Sequence, residues 1–176
     1  MVIGKIVDFK YILLEDVIEG AIDLLRRMQE FHIRVKFSPK EIQLNSLFEK
    51  KTNVHPRMAL NFEDTGHIFF FVDPDDFHQA AGRNFENLRY MHEICNKRVH
   101  IIKYSPDPVK LMKFCLPSIQ VSDPIVKING NLREMVIHVD PSLKPIIQGA
   151  GGHYIQLLNQ IFSRLFKIGK VSIEID

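Results

Sequence analysis

The residues best suited to chemistry are glycines. Gly149-Ala150-Gly151-Gly152 makes a G-x-x-G turn between two apolar stretches, Ile146-Ile147 before it and Ile155 to Leu158 after it. Glycine permits positive φ and close approach of a ligand. The amides opening the helix that follows would face an anion, which the helix dipole favours. That is the chemistry of holding a phosphate, not of breaking a bond. Lys144 precedes the turn, His153 and Tyr154 follow it with a stacking or hydrogen-bonding edge, and Arg164, Lys167 and Lys170 are candidate basic rim residues. A second turn, Gly82-Arg83-Asn84-Phe85, lies 67 positions earlier, with Phe85 where the second glycine would stand. Its β-carbon obstructs close backbone approach, while its ring is available for stacking. The first groove is therefore expected to be weakened or lost.

Other chemistries find no residues to rest on. His78, His92, His100, His138 and His153 fall in different predicted elements without HExxH or another metal-ligand spacing, so no metal site is expected. Asp73-Pro74-Asp75-Asp76 reads as a solvated strand-to-helix turn, and its spacing is not that of an EF-hand loop. Cys95 and Cys115 belong to no CxxC pair and are expected to be reduced and buried. With no G-x-S-x-G, Walker loop or Cys-His motif, the chain is expected to be a non-enzyme with no cofactor.

The elements that must position the turns repeat. Shifted by 67, Val72-Asp73-Pro74 falls on Val139-Asp140-Pro141, Gly82 on Gly149, Leu88 on Ile155, Met91 on Leu158 and Ile94 on Ile161. Ser38-Pro39-Lys40-Glu41 starts a helix with a cap, a proline at the first helical position and an early acid. Residues 58–62 and 67–72 read as strands around a hairpin turn, followed by a short helix, the Gly82 turn, a helix over 85–96 and a strand at 98–103. A helix near 108–114, strands near 125–128 and 132–140, and helices either side of residues 149–152 repeat that order, closing on the strand 170–175. Each unit is α-β-β-α-α-β, an α+β class. Residues 1–37 lie outside the repeat. Within them, 14–31 carries one apolar stripe at helical spacing, which can pack on the first unit, on a second copy of the chain, or on a partner.

Apolar residues make up 45% of the 176 and charged residues 25%, enough to bury a core and to exclude disorder as the main state. No apolar run reaches the roughly 20 residues of a membrane span, and a soluble, cytoplasmic protein is expected. Residues 38–104 carry nine basic and nine acidic side chains and 105–176 eight and six, so the whole net charge of +2 sits in the second unit.

A G-x-x-G between paired helices flanked by strands is how KH modules clamp about four nucleotides. With Phe37-Ser38-Pro39-Lys40-Glu41, Ile68-Phe69-Phe70-Phe71-Val72, Ala81-Gly82-Arg83-Asn84 and the junction from Val99 to Pro108 in collinear order, the chain resembles the NusA family, most closely its short archaeal form with two type II KH domains. The resemblance covers residues 37–176. It implies KH domains at 38–104 and 105–176 behind a 1–37 extension, and RNA binding tied to transcription termination or elongation. Single-stranded RNA and RNA polymerase are the implied partners, and Gly149, Ala150, Gly151, Gly152, His153, Lys144, Gly82, Arg83 and Asn84 the implied RNA contacts. Val136, His138, Ile146, Ile147 and Ile155 are candidates for a base-accepting groove. Ala150 and Gly151 stand where family loops commonly carry a basic residue, so weak binding is expected. The alternative is a degenerate scaffold that docks a protein such as a polymerase subunit or ribosomal component.

Overall fold

The computed structural model describes residues 36–116, 122–129 and 132–175. The helix expected at 14–31 lies outside them. Residues 33–176 form one body that holds both sheets.

Helix α1 (Pro39–Thr52) starts at a complete capping box. The Ser38 hydroxyl accepts from the Glu41 amide, and the Glu41 carboxylate accepts from the Ser38 amide. Strands β1 (Met58–Phe62) and β2 (His67–Val72) form an antiparallel hairpin. The chain then passes through a 3-10 turn at Pro74–Asp76, α2 (Phe77–Ala81) and α3 (Glu86–Cys95) before β3 (Arg98–Lys103). Because β3 runs parallel to β2, with Ile68 beside Val99 and Phe70 beside Ile101, the connection has to cross over, and the two helices are that crossover.

The second half uses the same order. Asp107 caps α4 (Pro108–Cys115), β4 (Ile125–Asn129) pairs antiparallel with β5 (Leu132–Val139), and α5 (Lys144–Gln148) and α6 (His153–Phe166) lead to β6 (Lys170–Ile175), parallel to β5. The strand orders are β1-β2-β3 and β4-β5-β6.

Strand β2 explains its own composition. Ile68, Phe70 and Val72 face a core with Leu44, Phe48, Met91, Val99 and Ile101, where the Phe48 and Phe70 rings stack at 4.3 Å. Phe69 and Phe71 point the other way and are equally buried. A strand covered on both faces reads as a continuous apolar run, each such side chain contributing roughly 2 kcal/mol. In the second half, Leu157, Leu158, Ile161, Phe162, Leu165 and Phe166 give α6 one wide buried face against the sheet.

A polar tie joins the halves. Arg164 on α6 donates to both oxygens of Glu41 on α1, at 2.8 and 3.1 Å, and Asn61 adds its amide at 3.0 Å. Glu41 is 2% exposed, and burial pushes its carboxyl up; the Arg164 bond and the Ser38 and Asn61 amides more than reverse this, so its pKa ends below the ordinary value.

Cys115 is buried, and burial drives its thiol up to about 12. Cys95 departs from expectation. At the last turn of α3 it is half-buried, packed on the margin of the first core. Both cysteines are free thiols. Among the described residues no helix is long and apolar enough to cross a membrane.

Candidate functional site

The two turns share one backbone. Gly82 sits at φ 76°, ψ 168° and Gly149 at φ 70°, ψ 174°. Three residues on, the Phe85 amide donates to Gly82 O and the Gly152 amide to Gly149 O, each at 3.1 Å. Asn84 and Gly151 are left-handed, as are Phe85 (φ 60°, ψ 30°) and Gly152 (φ 76°, ψ 12°). The leading glycine is required in both turns. A Cβ at Gly82 would meet Glu86 and Asn87 side-chain atoms at 2.8–2.9 Å, and one at Gly149 would meet Tyr154 Cβ at 2.9 Å.

The difference lies in what the turns present. Gly152 faces open space. No side chain caps α6, whose first turn carries no acid, so its leading amides are free of a side-chain cap and of a neighbouring carboxylate. Helix α3 also lacks a side-chain cap, but Glu86 stands in its first turn and Phe85, 55% exposed, occupies the left-handed position. Phe85 therefore ends the turn, and the helix expected from residue 85 begins at Glu86. Arg83 and Asn84 are exposed, and Arg89 donates to Asn84 O, fixing the turn from below.

Several expected groove residues serve elsewhere. Val136 and Ile147 are fully buried and belong to the core, while Ile146 is 61% exposed at the turn. Ile155 and His138 are half-buried. Arg164 is committed to Glu41, and Lys170 pairs with Glu134 at 3.2 Å. Lys167 caps the C-terminal end of α6, roughly 20 Å from the turn for 14 residues at helical rise. These three cations do not rim the loop. Lys144 is half-buried at the start of α5, five residues before Gly149. The Tyr154 hydroxyl donates to Cys115 O at 2.6 Å, and burial, with Cys115 beside it, raises its pKa, so this ring fastens α6 to α4.

Four histidines scattered in sequence, His67, His92, His100 and His153, gather in space. His67 Nδ1 lies 2.9 Å from His100 Nε2, and their rings continue a stack from Phe71 through Phe69 along one face of the first sheet. Burial foremost, with His67, Arg98 and His92 nearby, takes His100 down to about 4. Burial and the charges of Arg98 and His153 likewise lower His67. This polar end of the sheet opens on a cleft of about 850 Å³, whose lining includes His67, His92, Arg98, Gly149, His153 and Gln160. The period-two alternation of His67, Phe69 and Phe71 was the available signal for the stack. The approach of α6 depends on how the halves pack, which spacing does not carry. Among the described residues no three His, Cys, Asp or Glu side chains are placed to hold a metal ion. Asp73 instead accepts from Arg57 Nε at 2.8 Å.

Two three-stranded sheets, each with a glycine turn between paired crossover helices, define an α+β protein compatible with KH-like domains. The crystal structure of APE1850 shares the fold, with a TM-score of 0.73 at 23% identity over 78% of this chain and all of that one. No family model matches. Two curated archaeal proteins, each described as a probable transcription termination protein NusA, do. The one from Methanococcus vannielii is 28% identical over 141 residues, 80% of both chains. The one from Methanocaldococcus jannaschii is 29% identical over 143 residues, 81% of this chain and 77% of its own. The chain is similar to archaeal NusA-like proteins, from which it has diverged.

Proposed function

We propose that the chain binds single-stranded RNA as a transcription termination or elongation factor, through two type II KH domains at 38–104 and 105–176, the second doing most of the binding. The observation that carries this reading is the start of α6: a left-handed Gly152 with open space where a side chain would stand, no side-chain cap and no acid in the first turn. A phosphate placed there accepts from the leading amides and is favoured by the helix dipole. Lys144 and His153 stand beside it, and Ile146 and Ile155 offer apolar surface for bases. The named relatives are transcription termination proteins, which supports the setting.

A protein-docking role is favoured only for the first half. There the exposed Phe85 ring and the acidic Glu86 suit a protein surface better than a phosphate.

Fluorescence anisotropy with labelled single-stranded RNA, comparing wild type with Gly152→Asp at low and moderate salt, tests the reading. Aspartate tolerates the left-handed region and meets open space, so the fold persists while a carboxylate occupies the phosphate seat. Loss of about tenfold or more in affinity is expected. Equal binding by the variant, or none by the wild type at low salt, refutes it.

A further inference from the structure

The cleft beside the second loop shares Gly149 and His153 with it and otherwise belongs to neither loop. Its fixed charges nearly cancel. Arg98 and Asp64 both line it, and Lys97 is taken up by Glu63, whose carboxylate the bonds from Lys40, Lys97 and Asn61 hold at about 2. Histidines on three elements line it as well: His67 on β2, His92 on α3 and His153 on α6, with the half-buried His100 beside His67 on β3. From α6 come Tyr154, Gln156, Leu157 and Gln160, and no carboxylate. Gln156 and Gln160 are exposed one turn apart, with amide groups suited to phosphate oxygens or base edges. Burial foremost lowers His67 and His100, which favours their neutral forms, while the exposed His92 and His153 rings carry nitrogens able to donate to a phosphate oxygen.

We propose that the cleft is a second phosphodiester-binding site: single-stranded RNA leaving the 149–152 loop lays its next phosphates against Arg98, His92 and His153. Continuity with the loop and the paired glutamines favour a nucleic-acid strand over an acidic peptide. The proposal rests on the RNA-binding reading of that loop.

Labelled RNAs of about four and about ten nucleotides separate the two sites, since a KH loop holds about four. The wild type should bind the longer RNA about tenfold more tightly at near-neutral pH. Arg98 and His92 are exposed, so a His92→Gln, Arg98→Gln double variant keeps its fold; it should lose most of the gap while binding the short RNA as before. A gap that is absent, or that survives in the double variant, overturns the cleft and leaves the loop standing. Short-RNA binding that survives Gly152→Asp overturns the loop reading instead. Displacement of the longer RNA by polyglutamate as readily as by unlabelled RNA overturns the choice of ligand in favour of a protein.

Discussion

The turns at residues 82–85 and 149–152 have the same backbone and opposite surfaces. Both hold a leading glycine near φ 70–76°, ψ 168–174°, a region essentially closed to other residues. Both end left-handed, although one ends in glycine and the other in phenylalanine. The surroundings impose that shape: Asn87 Nδ2 donates to Gln79 O across the first turn, and Tyr154 packs over the second. Phe85 persists in a strained conformation because its neighbours over-determine it. What the turns can bind is decided separately, by Phe85 and Glu86 in one and by open space and a helix start without a side-chain cap in the other.

The largest expected effect tests the shared backbone. Gly82→Ala and Gly149→Ala each place a Cβ within 3 Å of a neighbour in a glycine-only region, and each should cost about 3 kcal/mol by urea unfolding. A substitution costing under about 1 kcal/mol at either position would break the equivalence. Next, Arg164→Ala removes the tie between the halves without touching either turn and leaves the Glu41 carboxylate buried with only amide partners. A loss of about 2 kcal/mol is expected, less than for a fully dry pair because Arg164 is 32% exposed. The wild-type contribution of this tie is present above about pH 4.5 and fades as pH falls and Glu41 takes a proton.

Acid should separate the halves further. His100 titrates at about 4 when folded and near 6.5 when unfolded, so the unfolded chain takes the proton first as pH falls. The first half therefore keeps this contribution above about pH 6.5 and loses on the order of 2 kcal/mol by about pH 4. Hydrogen exchange should show protection falling first in β2 and β3. Uniform loss across both sheets would contradict the assignment. The smallest effect is Phe85→Gly, which relieves left-handed strain at an exposed site and should stabilise by about 0.5 kcal/mol. Combined with Glu86→Gln, it should raise affinity of the first turn for RNA severalfold, making the two surfaces alike.

Much of the fold was legible because its signals are local. The Ser38 capping box, the alternating strands and the 67-residue shift between Gly82 and Gly149 each act over a few residues. The site was legible only in part. The glycine turn was visible, but Arg164, Lys170, Val136 and Ile147 were expected at the groove and proved committed to Glu41, Glu134 and the core. Those commitments are set by partners more than thirty positions away or by burial depth, which residue type alone does not report. The convergence of His67, His92 and His153 was missed for the same reason: three elements meet there through tertiary packing.

A reciprocal carboxylate pair tests the central claim most directly. Gly152→Asp and Phe85→Asp should be compared for binding the same labelled single-stranded RNA, with unfolding midpoints measured alongside. The second turn as phosphate seat requires a loss of about tenfold or more for Gly152→Asp and less than about twofold for Phe85→Asp. Equal losses, or a greater loss at residue 85, would contradict it.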